Sequence, residues 1–166
     1  MRYFSYGSNM SSRRILQRVS SAQLVTVACL KAHTLQFHKA GKDGSAKCDI
    51  SFTSQIDDFV LGVVFDIAQE QKLKLDRVEG VGHGYEEKMV VVSGINGEEI
   101  SASTYYATNI NQSLMPYSWY KEHVMAGARE NALSPDYVRG IEQVATIEDL
   151  DRDRHDREMS IYRYPE

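Results

Sequence analysis

The segment VLGVVFDI, Val60 to Ile67, constrains the fold more than any other stretch of this chain. It is nearly all apolar, with no alternation to give a solvated face, so it reads as a central strand. The flanking sequence offers strands for it to join. RYFSY near the start alternates aromatic and polar residues as a short strand does, and QLVTVACLKAHTLQFHKA is rich enough in β-branched and aromatic residues for two strands. GKDGS reads as a turn and AKCDISFTS as a further strand, while Gly84 to Thr108 reads as a hairpin turning at Asn96-Gly97.

Helix signals are concentrated elsewhere. MSSRRILQRV predicts one or two helical turns capped by Ser11 or Ser12. Asp66 and Gln69 match a capping box, which predicts a helix opening at Ile67 and stopping at Gly80, Gly82 and Gly84. A helix is expected from Pro116 to about Asn131, and another with Ser134 as N-cap and Pro135 at its first position. The run EDLDRDRHDRE reads as a solvated helix face or tail. Strands first and a helical pair last give an α+β class, and the absence of repeats, low-complexity tracts and linkers gives one domain over residues 1–166.

At 166 residues, 42% hydrophobic and 25% charged, the chain suits a soluble domain with a real core. A formal net charge of −4 argues against nucleic acid, whose phosphates demand clustered cations. Strand-like sequence from Met1 leaves no room for a signal peptide, and no run approaches a membrane span, so no membrane partner is expected and the cytoplasm is the default. Oligomeric state is left open, with a homodimer among the arrangements allowed. Cys29 and Cys48 form no Cys-x-x-Cys pair and read as ordinary buried or half-buried thiols.

Several familiar chemistries fail on spacing. YGSN has one glycine and no Lys-Ser/Thr pair, so it is no phosphate loop, and Ser8 lacks a nucleophile elbow. Ser118 and Lys121 match S-x-x-K, but no K-T-G or S-D-N partner follows. The histidines at 33, 38, 83, 123 and 155 show no zinc-hydrolase spacing, so no metal is expected. Glu79 says more. On a helix from Ile67 it shares an apolar stripe with Ala68, Leu75 and Val78, where a carboxylate is costly unless paired. The helix C-terminus disfavours negative charge as well, and both effects favour the protonated acid, as a general acid–base group requires. The bland alternative has Glu79 turned outward to Lys72 or Lys74. Tyr120, with Tyr117, Val124 and Ala128, reads by default as core packing, and one of Tyr105 and Tyr106 should face inward.

Taken together the segments resemble the γ-glutamylcyclotransferase family. YFSYGSNM, Tyr3 to Met10, is similar to the family's Y-F-x-Y-G-S-N-L opening, with Met10 for Leu. LDRVEGVGHGYEEKMVVV resembles the segment in which Glu-Gly-Val follows a helix, and TYYAT, WYKEHVMAGAREN and LSPDYV resemble the later strand and helix pair. The similarity runs from Met1 to about Ile141. It implies a small mixed β-barrel flanked by helices, and a reaction in which a γ-glutamyl amine closes to 5-oxoproline and releases its amine, a place in glutathione metabolism. Carried over, Tyr3, Phe4, Ser5, Tyr6, Gly7 and Ser8 bind the γ-glutamyl group through the loop backbone, with Asn9 in the loop wall. Glu79 is the acid–base residue and Tyr120 contacts substrate. Ser5 and Ala132 stand where Ala and Gly are common.

The chemistry suits such a site. The substrate's own amine attacks its γ-carbonyl, so positioning alone is worth up to roughly 7–11 kcal/mol and no protein nucleophile is needed. One carboxylate can take a proton from that amine and return it to the leaving nitrogen, while loop amides hold the oxyanion. No metal or organic cofactor has a role. Two rivals remain: a related cyclotransferase acting on a γ-glutamyl amine or γ-glutamyl-capped intermediate, and a non-catalytic module binding a small ligand on the same fold.

Overall fold

The computed structural model describes residues 1–163. Its strands are β1 (Arg2–Ser5), β2 (Gln23–Lys31), β3 (His33–Ala40), β4 (Ala46–Phe52), β5 (Phe59–Asp66), β6 (Tyr85–Gly94) and β7 (Glu99–Ala107). Its helices are α1 (Ser12–Arg18), α2 (Lys72–Glu79), α3 (Ser118–Glu130), α4 (Pro135–Glu142) and α5 (Arg152–Met159). The apolar run occupies β5, which is hydrogen-bonded on both sides, antiparallel to β1 and to β2. Five strands close a barrel in the order β1-β5-β2-β6-β7, and a parallel pairing of β1 with β7 at Tyr3 and Ser103 completes the ring. One parallel seam among antiparallel ones makes the barrel mixed. β3 and β4 form a separate two-stranded sheet.

The core explains why β5 tolerates so little polarity. Val60, Val63 and Val64 are fully buried with Phe4, Ile15, Leu75 and Val124, each apolar side chain contributing on the order of 1.5–3 kcal/mol by leaving water. Gly62 sits in this strand because a side chain would strike the Phe4 ring, 2.7 Å from where its Cβ would lie.

Two helix starts differ from the sequence expectation. The helix expected to open at Ile67 begins with a 3-10 turn at Gln69–Gln71 and becomes α2 at Lys72. Asp66 is instead the last residue of β5, paired in register with Arg2 and Gln23, and its carboxylate takes the N-terminal ammonium at 3.2 Å. Ladder pairing holds the chain extended through Ala68, so the stripe loses that member and Val78 is 43% exposed, leaving Leu75 as the buried anchor. α3 likewise begins at Ser118, because Tyr117 is extended and bridges to Ile147. The expected Ser134 cap and Pro135 at the first helical position of α4 are both present.

The acidic-basic run near the end is more than a solvated face. Asp149 is fully buried and accepts from Trp119 Nε1 at 2.8 Å and from Arg154 Nε at 2.6 Å. Glu158 accepts from Arg14 Nη1 at 2.6 Å, with His123 Nε2 3.0 Å away. Carboxylates of this run reach inward to polar groups of α1 and α3, which periodicity in one segment does not reveal. No helix among the described residues is long and apolar enough to cross a membrane.

Candidate active site

The loop after β1 owes its shape to close packing from behind. Ser8–Met10 forms a single 3-10 turn, and Met10 is fully buried. α3 crosses directly beneath it at Gly127, where a Cβ would lie 2.5 Å from Ser11 N and 2.6 Å from the Met10 carbonyl carbon. Asn131 then ties helix and loop together, its Nδ2 donating to Met10 O at 3.1 Å and Gly127 O at 2.8 Å. The opening amides of a helical turn lack carbonyl partners within the turn, and among the described residues the Ser8 and Asn9 N–H groups, in the cavity lining, make no hydrogen bond.

Glu79 arrives from the opposite side. It is the last residue of α2, and Gly80, at φ +73°, turns the chain in the left-handed conformation that a helix C-cap favours. Buried Leu75 anchors the helix, and Asp76 accepts from the Tyr105 hydroxyl at 2.7 Å and pairs with Lys72. The Glu79 side chain is 16% exposed and turns inward, not toward Lys72 or Lys74. Asn9 Nδ2 donates to its Oε1 at 2.6 Å, and Arg18 Nη1 lies 3.3 Å from the same oxygen. Arg18 also donates to Asn9 Oδ1 at 2.7 Å, so amide, guanidinium and carboxylate form a closed triangle. Both donors converge on Oε1. Among the described residues Oε2 has no donor.

Together these elements enclose a narrow cavity of about 30 Å3, walled by Ser5, Tyr6, Gly7, Ser8, Asn9 and Glu79 and by the residues that follow. Tyr3, Tyr6, Tyr85, Tyr105 and Tyr120 all line it, and burial raises every one of these phenols above its ordinary pKa, with the Glu79 charge adding to the effect. They stand as neutral hydroxyls. Tyr6 donates to Tyr105 O at 2.6 Å, and Tyr85 donates to Cys48 O. The Tyr120 hydroxyl accepts from Cys48 N at 3.0 Å. Among the described residues the buried Ser5 hydroxyl has no hydrogen-bond partner.

Of the residues singled out from sequence, the structure brings Tyr3, Ser5, Tyr6, Gly7, Ser8, Asn9, Glu79 and Tyr120 to one cavity. Phe4 is not among them. It alternates to the other side of β1, fully buried against Gly62, and its carbonyl accepts from Thr104 Oγ1 at 2.8 Å. Tyr105 is the inward member of its pair. Sequence reading passed over Cys48, Tyr85 and Arg18. Cys48 is the buried thiol it was expected to be, pushed up by burial to about 12, but it also forms cavity wall. Lys121 of the S-x-x-K match donates to Glu142 O and Val144 O, a latch between helices. Among the described residues no group of three or more His, Cys, Asp or Glu side chains could hold a metal ion.

The AIG2-like family model matches residues 59–141, which include Glu79 and α3. Over 147 residues the chain is 34% identical to γ-glutamylcyclotransferase from Bos taurus and 33% identical to that from Homo sapiens, covering 86% of this chain and 77% of each relative. The chain belongs to the γ-glutamylcyclotransferase family. A solved structure of a γ-glutamyl cyclotransferase superposes with a TM-score of 0.84 at 28% identity, covering 95% of this chain and 98% of that one.

Proposed function

We propose that this protein is a γ-glutamylcyclotransferase with Glu79 as its general acid–base residue. The observation that carries this reading is the Glu79 carboxylate in the cavity, fixed through Oε1 by Asn9 and Arg18 with Oε2 free of protein donors. The substrate's α-amine attacks its γ-carbonyl carbon, forming the ring C–N bond. Glu79 takes a proton from the attacking nitrogen. The tetrahedral oxyanion lies against the Ser8 and Asn9 amides, donors that need no reorganisation because Gly127 and Asn131 hold the loop from behind. Collapse breaks the bond to the departing nitrogen, Glu79 returns the proton to it, and 5-oxoproline and a free amine leave. Neutral phenols shape the cavity and leave the carboxylate as the group that moves protons. A nucleophile is superfluous, and Cys48, held protonated at neutral pH, does not supply one.

The decisive measurement is 5-oxoproline release by Glu79→Gln, which keeps the side chain's shape and its bond from Asn9 while removing the proton acceptor. Turnover falls by about 10²–10⁴-fold, the usual contribution of a positioned acid–base group, with unfolding by urea unchanged. Release at the wild-type rate overturns the assignment. Tight binding of γ-glutamyl compounds by the wild-type protein, without release from any, identifies a binding module instead.

A further inference from the structure

The narrow cavity opens into a basin of about 290 Å3 that shares Ser8, Glu79, Tyr85 and Tyr120 with it. Although the chain as a whole carries −4, this basin is lined by Arg14, Arg18, Lys39, Lys42, Lys47 and Arg77 against only two carboxylates, Asp43 and Glu79. Arg14 is answered by Glu158, Arg18 by Glu79, and Lys47 by Asp43 at 2.7 Å. Among the described residues Lys39, Lys42 and Arg77 have no carboxylate partner.

Lys39 is the most informative of the three. It is only 6% exposed, yet among the described residues its ammonium donates no hydrogen bond and lies over the Tyr85 ring, 4.7 Å from the centroid. Partly desolvating an ammonium without giving it an acceptor is costly, and burial pushes its pKa down. The β3–β4 register is irregular between Phe37 and Lys39, which brings Lys39 directly opposite Lys47. Like charges facing each other across a ladder are destabilising, whereas strand irregularities commonly re-aim side chains beside active sites. An anion in the basin relieves both costs.

We propose that the basin holds the departing half of the substrate, and that Lys39, with Lys42 and Arg77, selects a leaving amine carrying two negative charges. This rests on the cyclotransferase reading above. Glu79 borders both spaces, so once the γ-glutamyl half fills the narrow cavity, atoms beyond the departing nitrogen extend into the basin. A single carboxylate answers one cation there. A dicarboxylic amino acid or a phosphorylated amine answers two or more.

The test is 5-oxoproline release from two matched pairs: γ-glutamyl-glutamate with γ-glutamyl-glutamine, and γ-glutamyl-phosphoserine with γ-glutamyl-serine. The expected result is a kcat/KM at least about tenfold higher for the more anionic member of one pair, the scale of a charge-assisted contact, shrinking as salt is added. The pair showing the larger ratio assigns the basin to carboxylate or to phosphate. Lys39→Met brings that ratio toward one. Lys42→Gln and Arg77→Gln, at exposed positions, lower it by less and keep the test open should Lys39→Met fail to fold. Ratios near one in an active wild-type enzyme overturn the inference and leave the cyclotransferase reading standing. A ratio unchanged in all three variants overturns the assignment of these cations, and release from none of the four compounds overturns both.

Discussion

Five phenols line the narrow cavity, whereas six cations line the basin above it, and the two spaces meet at Ser8, Glu79, Tyr85 and Tyr120. Inside the cavity the phenolic oxygens are tied to fixed partners: backbone at Tyr105 and Cys48, or the Asn9 and Asp76 side chains. Such a wall supplies shape and orientation, and in the proposed reaction it leaves proton transfer to Glu79. The basin works through charge instead. Half of its cations are bound to carboxylates of the protein and half are not. On the proposed reading, position governs the chemistry in the first space and surplus charge the choice of ligand in the second.

The largest effect comes from attacking the cavity through its backing. Gly127→Val puts branched carbon where even a Cβ lies 2.5 Å from Ser11 N, and its neighbours there are backbone that cannot swing aside. Overpacking of this kind costs about 3 kcal/mol, read as a lower urea midpoint. Release of 5-oxoproline falls with it, while the preference among leaving groups in whatever activity survives is retained. If Gly127→Val folds normally and turns over normally, the loop does not depend on α3.

Acid acts on the cluster that answers Arg14. Burial holds His123 down to about 4, from an ordinary 6.5. Between those values the unfolded chain binds more protons than the folded one, so stability is full above pH 6.5 and is lost as pH falls toward 4. Glu158 acts in the same direction at lower pH. Burial alone would raise it, but His123 and Arg14 hold it at about 2, against an ordinary 4.5, so its contribution is lost as pH falls from 4.5. For His123 the loss reaches up to about 3 kcal/mol at 1.36 kcal/mol per pH unit. Thermal melts therefore show Tm falling between pH 7 and pH 4, and His123→Gln flattens the upper part of that fall. A wild-type Tm level across the range removes this structural role from the Arg14 cluster.

What the sequence disclosed follows the same division. The cavity loop was legible because its residues are contiguous: an aromatic strand running into Gly-Ser-Asn carries both its shape and its free amides in one stretch. Glu79 was singled out by an apolar stripe and by its place at a helix C-terminus, and it does line the cavity, although the stripe began at the wrong residue. Asp66 belongs to the β5 ladder, and ladder pairing over sixty residues of chain outweighs a local capping signal. The basin was illegible for a stronger reason. Lys39, Lys42, Lys47 and Arg77 come from a hairpin and a helix far apart in sequence, within a chain of net negative charge. Arg18 and Tyr85 were missed likewise, since their roles exist only once the barrel closes.

Two smaller changes sharpen the contrast within the cavity itself. Asn9 holds Glu79 and Tyr3 together and accepts from Arg18, so Asn9→Ala leaves the carboxylate present but loosely aimed. A hydrogen bond to a charged group is worth about 1.5–3 kcal/mol, and kcat falls by roughly 10–100-fold with KM and leaving-group preference little changed. An effect mainly on KM instead marks Asn9 as a substrate contact.

Gly7→Ala is the mildest change and the most local. Gly7, at φ −115° and ψ −143°, is not in the left-handed region that favours glycine. Its Cβ would lie 3.1 Å from Cys48 Cβ and 3.6 Å from the Tyr120 hydroxyl, on the wall of the narrow cavity. Cys48 must yield by a few tenths of an ångström, which holds the stability cost to about 1 kcal/mol, the low end for overpacking. The added methyl occupies space in a cavity of only about 30 Å3, so KM for every γ-glutamyl substrate rises severalfold irrespective of the amine that departs. Selective damage to the more anionic substrates by Gly7→Ala places the leaving group, rather than the γ-glutamyl half, against the loop and reverses the division between the two spaces.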